Sequence, residues 1–226
     1  APARWLYQAD RYLGEVPGAA RHVLGVLAPA LRAWDRRAAG TATAYLTSSR
    51  YMQRHIREVY GIEAEILAPP HGMDPTAERA PVEDLEPGYV LVVSRLLAYK
   101  HVDVVVQAVE HLAGRRLVVV GRGPEATRLA ALAPPGTRFL SGLSDAELRW
   151  VYANAAVLVG ASHEDFGLTP LEAAAFGVPA AVLRFGGYLD TVVEGVTGCF
   201  FDRLDPVEVA GTIGEVLAAD LDAGRI

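Results

Sequence analysis

Residues 89 onward alternate between short apolar runs and stretches with helical spacing. Residues 89–94 (YVLVVS) and 116–120 (RLVVV) are continuous apolar runs, which are typical of strands buried on both faces. Further strands are predicted at 137–141, 156–160, 180–183 and 198–201, and helices are predicted to begin at 101, about 124, 144, 169, 188 and 206. Buried strands that alternate with helices predict an α/β domain with a doubly wound parallel sheet.

The first part of the chain resembles the closing piece of another α/β unit. Helical spacing covers 31–39 and 49–60, and short apolar runs at 44–47 and 65–68 indicate strands. Clusters of Gly and Pro at 69–75 and 81–88 mark turns and predict a linker near 75–87. The sequence therefore predicts a partial α/β domain with its linker over 1–78 and a complete domain over 79–226.

Composition narrows the classes of protein that fit this pattern. With 226 residues, 51% of them hydrophobic, the chain can bury a core. The single cysteine, Cys199, excludes a disulfide framework and favours a reducing compartment, so we expect a cytoplasmic protein. No apolar run of about 18 residues predicts a membrane span. We also expect no nucleic-acid partner.

Charge is distributed unevenly along the chain. Residues 1–60 hold nine Arg and four acidic residues, a balance of +5, whereas the whole chain carries a formal charge of −6. This basic part could attract phosphates or an anionic membrane surface, which would make the protein peripheral to a membrane. A solvated, Arg-rich helix face is the commoner explanation of the same pattern.

Candidate binding residues follow the predicted strands, because open α/β sheets bind ligands beyond the carboxyl ends of their strands. Arg95 and Lys100 follow the first strand of the second domain, five residues apart. A forked guanidinium and a compact ammonium at that edge suit a diphosphate. Two surface cations would give the same pattern, and for an isolated pair that is the commoner case.

Two glycine pairs follow other strands. Gly121 and Gly123 lie in the segment GRGP, where small residues would let the backbone approach a ligand and Pro124 would occupy a first helical turn. The segment is not a full GxGxxG motif, and a plain tight turn is the commoner explanation of it. Gly186 and Gly187 form a second pair that enters a helix, and they are a further candidate contact for an anionic oxygen.

The segment 162–172 (SHEDFGLTPLE) carries a predicted helix start. Thr169 fits the N-cap, Pro170 the first position and Glu172 the third, so a capping role is the simpler explanation of Glu172. Free N–H groups near the turn Phe166-Gly167-Leu168 could instead bind a phosphate. The flanking carboxylates, which could bind sugar or ribose hydroxyls, are Glu164, Asp165 and Glu172. The six histidines lack the spacing of metal ligands, so we expect no metal site and no cofactor.

These segments together resemble family 4 of the retaining glycosyltransferases, whose fold is the GT-B arrangement of two Rossmann-like domains. The resemblance runs from about residue 44 to residue 194. Its motifs are VVSRLLAYK, VVVGRGP, RFLSGLSDAEL, EDFGLTPLEAAAFGVP and the FGG loop, with Glu164 and Glu172 in an E-x7-E pattern. The earlier segments TSSRYMQRHIREVYG and APPHGMD resemble the end of the family's first domain and its linker.

The resemblance implies a role for each matching residue. Arg95 and Lys100 would bind the diphosphate of a nucleotide sugar, Glu164 the transferred sugar and Glu172 the ribose. The remaining donor-binding residues would be Ser94, Gly121, Gly123, Leu143, Asp165, Phe166, Gly167, Leu168, Gly186 and Gly187. Ser94 departs from the family pattern, which has glycine there, and Asp190 stands where glutamate is commoner.

The implied activity is transfer of a sugar, with retention, from a nucleotide-diphosphate donor to an acceptor glycan, lipid or small molecule. A hexose such as mannose or rhamnose is among the candidate sugars. The family's first domain normally begins some hundred residues earlier, so the resemblance implies a truncated chain or one chain of a split enzyme, with the missing half as a partner. A nucleotide-sugar 2-epimerase of the same fold and a non-catalytic nucleotide-sugar-binding fragment remain alternatives.

Overall fold

The chain divides into two compact units, residues 1–69 and 70–226, in a computed structural model that describes residues 2–9, 18–219 and 221. The division lies before the predicted one at residue 78. Residues 70–78 belong to the second unit, as two of their contacts illustrate. Arg149 Nε donates to Glu78 O at 2.8 Å, and Met73 packs against the second unit's core.

The first unit contains a two-stranded parallel sheet and three helices in its described part. Its elements are α1 (Arg4–Tyr7), α2 (Gly18–Ala39), β1 (Leu46–Thr47), α3 (Arg50–Tyr60) and β2 (Glu65–Ile66). Helix α2 extends the helix predicted at 31–39 toward the N-terminus. Ser49 caps α3, because its hydroxyl accepts the Met52 N–H at 3.1 Å, and Gly61 ends that helix in the left-handed conformation.

The second unit is built on a six-stranded sheet in which every pair is parallel. Its strands are β3 (Tyr89–Val93), β4 (Leu117–Val120), β5 (Arg138–Leu140), β6 (Ala155–Gly160), β7 (Ala180–Leu183) and β8 (Gly198–Phe201). They lie in the order β5-β4-β3-β6-β7-β8. Val90, Leu91, Val118 and Val119 are fully buried. The predicted doubly wound parallel sheet is confirmed.

Two groups of helices cover this sheet. The helices are α4 (Val102–Val109), α5 (Ala126–Leu132), α6 (Asp145–Ala153), α7 (Leu168–Ala175), α8 (Tyr188–Thr191) and α9 (Pro206–Ala218). Helix α4 packs on α5 and α9, while α7 packs on α6 and α8. Right-handed crossovers place these groups on opposite faces, because the chain leaves β3 toward β4 but leaves β6 toward β7. The point of reversal, between β3 and β6, is where such sheets form a ligand crevice.

Helix starts in the second unit agree only partly with the sequence. The capping box predicted at the start of α6 is confirmed: Ser144 Oγ accepts the Glu147 N–H at 3.2 Å, and Glu147 Oε2 accepts the Ser144 N–H at 2.8 Å. Helix α5 begins at Ala126, so Pro124 precedes the helix instead of occupying its first turn. Among the described residues, none of the helices combines the length and apolar content that crossing a bilayer requires.

Gly121 and Gly123 leave room for the backbone of the segment that follows β3. A Cβ on Gly121 would lie 1.8 Å from Ser94 O, and one on Gly123 would lie 2.1 Å from Leu96 O. Hydrogen bonds hold the two segments together, since the Leu96 N–H donates to Arg122 O at 2.9 Å and the Glu125 N–H donates to Leu96 O at 3.1 Å. The need for glycine after β4 therefore arises from packing against the segment after β3.

This packing predicts opposite effects for two glycine-to-alanine substitutions. Gly123→Ala should lower the free energy of unfolding by about 1–3 kcal/mol, because the new methyl group meets a backbone that cannot move away cheaply. Gly211→Ala should raise it by up to about 1 kcal/mol, because alanine favours helix and nothing lies within 4 Å of the added Cβ. Urea unfolding of both variants checks this, and equal stability of the two would contradict it.

Candidate functional site

The candidate site lies where the carboxyl ends of β3 and β6 meet. Residues 94–101, called here the β3 loop, and residues 161–167, the β6 loop, follow these paired strands, and sheets of this topology form their ligand crevice between two such loops. The β3 loop ends in a 3₁₀ turn over Ala98–Lys100 and then in His101, whose φ of 50° is left-handed. This turn brings Lys100 back over the end of the sheet.

Lys100 and Glu164 form an ion pair across the crevice. Lys100 Nζ donates to Glu164 Oε1, and their side chains are only 10% and 20% exposed. Each charge has left most of its water, so the loss of either partner would leave the other poorly solvated. The structure thus brings together the side chain predicted to bind the diphosphate and the side chain predicted to bind the sugar. Their opposite charges neutralise each other here.

Two buried hydroxyl groups support the Glu164 carboxylate. Ser162 Oγ donates to Glu164 Oε1 at 2.6 Å and lies 3.3 Å from Tyr188 Oη. Burial, together with the negative charge of Glu164, raises the pKa of Tyr188. Tyr188 also packs against the end of the β6 loop, since a Cβ on Gly167 would lie 2.6 Å from its ring. Ser162 therefore holds the carboxylate directly, and Tyr188 contacts Ser162 in turn.

Arg95 lies beside Lys100 through a shared tyrosine. Its guanidinium donates to Tyr99 Oη at 2.9 Å, and Lys100 Nζ lies 5.4 Å from the centre of the Tyr99 ring. Arg95 is exposed, so its charge faces solvent more freely than that of Lys100. Both predicted cations occur at one edge of the sheet with Tyr99 between them.

Helix α7 does not begin as the sequence predicted. Gly167 is its N-cap, with a left-handed φ of 82° and no side-chain cap, and the helix starts at Leu168. Thr169 is therefore the second helical residue, Pro170 the third and Glu172 the fifth. The capping explanation of Glu172 is therefore wrong. In a capping box the carboxylate belongs to the third helical residue and accepts the N–H of the N-cap residue, which a side chain at the fifth position does not reach.

Glu172 instead accepts a hydrogen bond from Tyr152. Tyr152 Oη lies 2.5 Å from Glu172 Oε2, and its ring stacks on Phe176 with a centroid distance of 5.9 Å. Burial and the neighbouring carboxylate raise the pKa of Tyr152 well above its usual range. Glu172 is held in one orientation by a buried donor on α6, as a ligand-binding carboxylate requires.

The glycine pair after β7 also packs against the β6 loop. A Cβ on Gly186 would lie 2.1 Å from Glu164 O, and one on Gly187 would lie 2.1 Å from Phe166 Cα. The Gly187 N–H donates to Glu164 O at 2.8 Å. The loop after β7 therefore fixes the backbone of Glu164, while Tyr188 supports its side chain.

A short aromatic stack joins three loops beside the ion pair. The ring of His163 makes edge contacts with His101 at 5.8 Å and with Phe185 at 4.5 Å between centroids. Burial lowers the pKa of His101, and Asp103 opposes that shift. The two imidazoles adjoin Lys100 and Glu164 along the chain, so these ring contacts lie directly beside the ion pair.

The other predicted donor-binding residues lie around this centre. Gly121 uses its N–H in a bond to Leu140 O at 2.9 Å, and Ser94 Oγ donates to Arg95 O at 3.1 Å. Leu143 is half-buried, and Leu168 is exposed. Asp165 and Phe166 are half-buried in the β6 loop. Within the described ranges, no group of three or more His, Cys, Asp or Glu side chains could hold a metal ion.

Sequence reasoning missed the residues that support the site. They are Tyr99, His101, Tyr152, Ser162, His163, Phe185 and Tyr188. Along the chain, Ser162 lies 2 residues from its partner Glu164, and Tyr152 lies 20 residues from Glu172. Tyr188 lies 26 residues from its partner Ser162. Ser162 and Tyr99 lie close enough in sequence to their partners, Glu164 and Arg95, for those two contacts to be suspected.

Known proteins share this architecture. A D-inositol 3-phosphate glycosyltransferase of Xylanimonas cellulosilytica is 34% identical over 187 residues, which cover 74% of this chain and 43% of the relative. Sucrose-phosphate synthase from Thermosynechococcus elongatus aligns with a TM-score of 0.74 at 22% identity, over 95% of this chain and 57% of that one. The pneumococcal O-GlcNAc transferase GtfA, solved with UDP and GlcNAc, aligns with a TM-score of 0.65 at 19% identity, over 84% and 42%.

The chain thus spans about half the length of the proteins it matches. The fold similarity covers both units, while the family model described as glycosyl transferases group 1 matches residues 74–223. That segment contains the complete six-stranded sheet and all the loops of the candidate site. This chain therefore belongs to the group 1 glycosyl transferases.

Proposed function

We propose that the chain is the nucleotide-sugar-binding part of a retaining glycosyltransferase of family 4. The observation that carries this proposal is the convergence of Arg95, Lys100, Glu164 and Glu172 on one edge of the sheet. Lys100 contacts Glu164 across the point where strand order reverses. Cations for a diphosphate and carboxylates for hydroxyl groups are the chemistry that a nucleotide sugar needs.

In this proposal, the diphosphate binds between the β3 loop and the start of α7. Arg95 and Lys100 balance its charge, together with the first N–H groups of α7. Departure of the diphosphate from the sugar concentrates negative charge on its oxygens, and fixed positive groups stabilise that transition state. The two side chains provide this charge in the proposed mechanism, so it requires neither a metal ion nor another cofactor.

Glu164 and Glu172 divide the two hydroxyl-bearing parts of the donor between them. Glu172 binds the ribose, because Tyr152 engages Oε2 and leaves Oε1 to accept from a ligand. Glu164 lies next to the cation that binds the diphosphate, and so binds the sugar attached to it. Support for a nucleotide-sugar partner comes from the related fold solved with UDP and GlcNAc.

The identity of the acceptor is the part of the proposal that the matched proteins leave open. The three matched proteins differ in what they are named for: an inositol phosphate glycosyltransferase, a sucrose-phosphate synthase and an O-GlcNAc transferase. We therefore leave the acceptor as a glycan, lipid or small molecule. Location in the cytoplasm, contact of the basic residues 1–60 with a membrane surface, and a second chain as partner stay predictions.

Removal of the Lys100 charge should weaken the diphosphate selectively. Lys100→Ala should lower affinity for the nucleoside diphosphate by about 10- to 100-fold, the range of one hydrogen bond to a charged group. Affinity for the free nucleoside should stay the same, because it carries no charge that Lys100 meets. Calorimetric titration with ADP, GDP and UDP, and with the matching nucleosides, measures both.

Arg116→Ala is the matched control for Lys100→Ala. Arg116 precedes β4 at the opposite edge of the sheet, where it pairs with Glu86. Its loss should leave binding unchanged. Equal losses for nucleoside and diphosphate in Lys100→Ala, or equal effects of the two variants, would count against a diphosphate site at the β3 loop.

A second prediction separates the two carboxylates that stand near helix starts. Glu172→Gln should weaken binding of the nucleoside diphosphate by about 1.5–3 kcal/mol, because a ribose hydroxyl then donates to a neutral amide instead of a carboxylate. Glu147→Gln, in a true capping box, should leave binding intact, since glutamine also serves at that position. Calorimetry on both variants tests this, and normal binding by Glu172→Gln would remove the ribose role.

A further inference from the structure

Lys100, the cation proposed to bind the diphosphate, already pairs with a carboxylate in the free protein. Lys100 Nζ is bound to Glu164 Oε1, and Lys100 is only 10% exposed. An incoming diphosphate therefore meets a neutral pair. An ammonium that stays on Glu164 brings the opposing charge of that carboxylate to the ligand, whereas one that leaves it contributes its full charge.

Lys100 is the only lysine in the sequence, where the other 20 of the 21 cationic side chains are arginines. The difference matters chemically. An ammonium is a point charge on a flexible stem and can turn from one anion to another, whereas a guanidinium fork tends to stay on the carboxylate that it grips at two points. A lysine fits a position where the cation has to change partners.

Glu164 is built to keep its place after the ammonium leaves. Ser162 Oγ still donates to Oε1 at 2.6 Å, with Tyr188 behind it, and the Gly187 N–H holds the main-chain oxygen at 2.8 Å. The position that the ammonium leaves on the carboxylate can then be taken by hydroxyl donors. The group next to a bound diphosphate is the sugar attached to it, whose hydroxyls are such donors.

We propose that Lys100 is exchanged between Glu164 and the donor's diphosphate, so that the sugar and the diphosphate bind cooperatively. This inference rests on the proposed function. The complete donor satisfies both partners, since its phosphates take Lys100 and its sugar takes Glu164. A nucleoside diphosphate satisfies only Lys100, and Glu164 competes with it. After transfer of the sugar, return of Lys100 to Glu164 favours release of the diphosphate.

A double-mutant cycle tests whether Glu164 acts through Lys100. Glu164→Gln should tighten binding of the nucleoside diphosphate (ADP, GDP or UDP, whichever the wild type binds) by about tenfold, equivalent to about 1.4 kcal/mol. In the Lys100→Ala background, the same substitution should change affinity less than about twofold. Tightening of similar size in both backgrounds would indicate plain repulsion and overturn the exchange, as would unchanged or weaker binding by Glu164→Gln alone.

The single lysine allows a direct measurement on the wild-type chain, which does not depend on a variant's folding. Protein labelled with ¹³C and ¹⁵N in lysine should give one side-chain amine signal, from Lys100. Saturating nucleoside diphosphate should shift that signal, because the ammonium changes its anionic partner. An unmoved signal in a chain that calorimetry shows to be saturated would overturn the exchange while leaving the proposed function intact. No binding of any of the three diphosphates would instead remove the proposed function, and the exchange with it.

Discussion

The parallel pairing of β3 with β6 places the carboxyl ends of both strands at one edge of the sheet, and the candidate site depends on that placement. Because the chain turns toward opposite faces after these two strands, sheets of this topology bind their ligands between the two loops that follow. Lys100 enters the crevice from one side and Glu164 from the other. The glycines at 121, 123, 186 and 187 let neighbouring loops approach within backbone contact, so they position the side chains by packing the loops that carry them.

The ion pair between Lys100 and Glu164 determines which ligands this crevice favours. A poorly solvated ion pair is costly to form unless hydrogen bonds satisfy the remaining polar atoms, and Ser162 provides such a bond to Glu164. The same pair is a barrier to any anion that approaches alone. The proposed preference for a complete donor follows from these two facts, because only a ligand with both negative charge and hydroxyl groups replaces both halves of the pair.

Much of the fold was predictable from periodicity, and the candidate site was predictable as far as strand ends could be located. The runs at 89–94 and 180–183 are continuous and apolar, so their strands are recognised without further information. The start of α7 was misplaced because Thr169 and Pro170 look like a cap in sequence, whereas the left-handed Gly167 takes that position. A left-handed glycine and a capping threonine compete for the same turn, and local pattern does not decide between them.

Most of the supporting residues were beyond prediction because their contacts are long-range. Nothing near Glu172 in the sequence indicates Tyr152, and nothing near Ser162 indicates Tyr188. The role of the glycines was predicted in the right place with an incomplete reason. Gly121 and Gly123 were expected to let the backbone approach a ligand, whereas the group that lies against Gly123 is the chain's own Leu96.

A crystal structure of this chain bound to a nucleoside diphosphate tests the central claim most directly. The account predicts that both phosphates lie between the β3 loop and the start of α7, with Lys100 Nζ within about 3 Å of a phosphate oxygen and parted from Glu164. Phosphates bound elsewhere on the chain, with the ion pair between Lys100 and Glu164 intact, would contradict it.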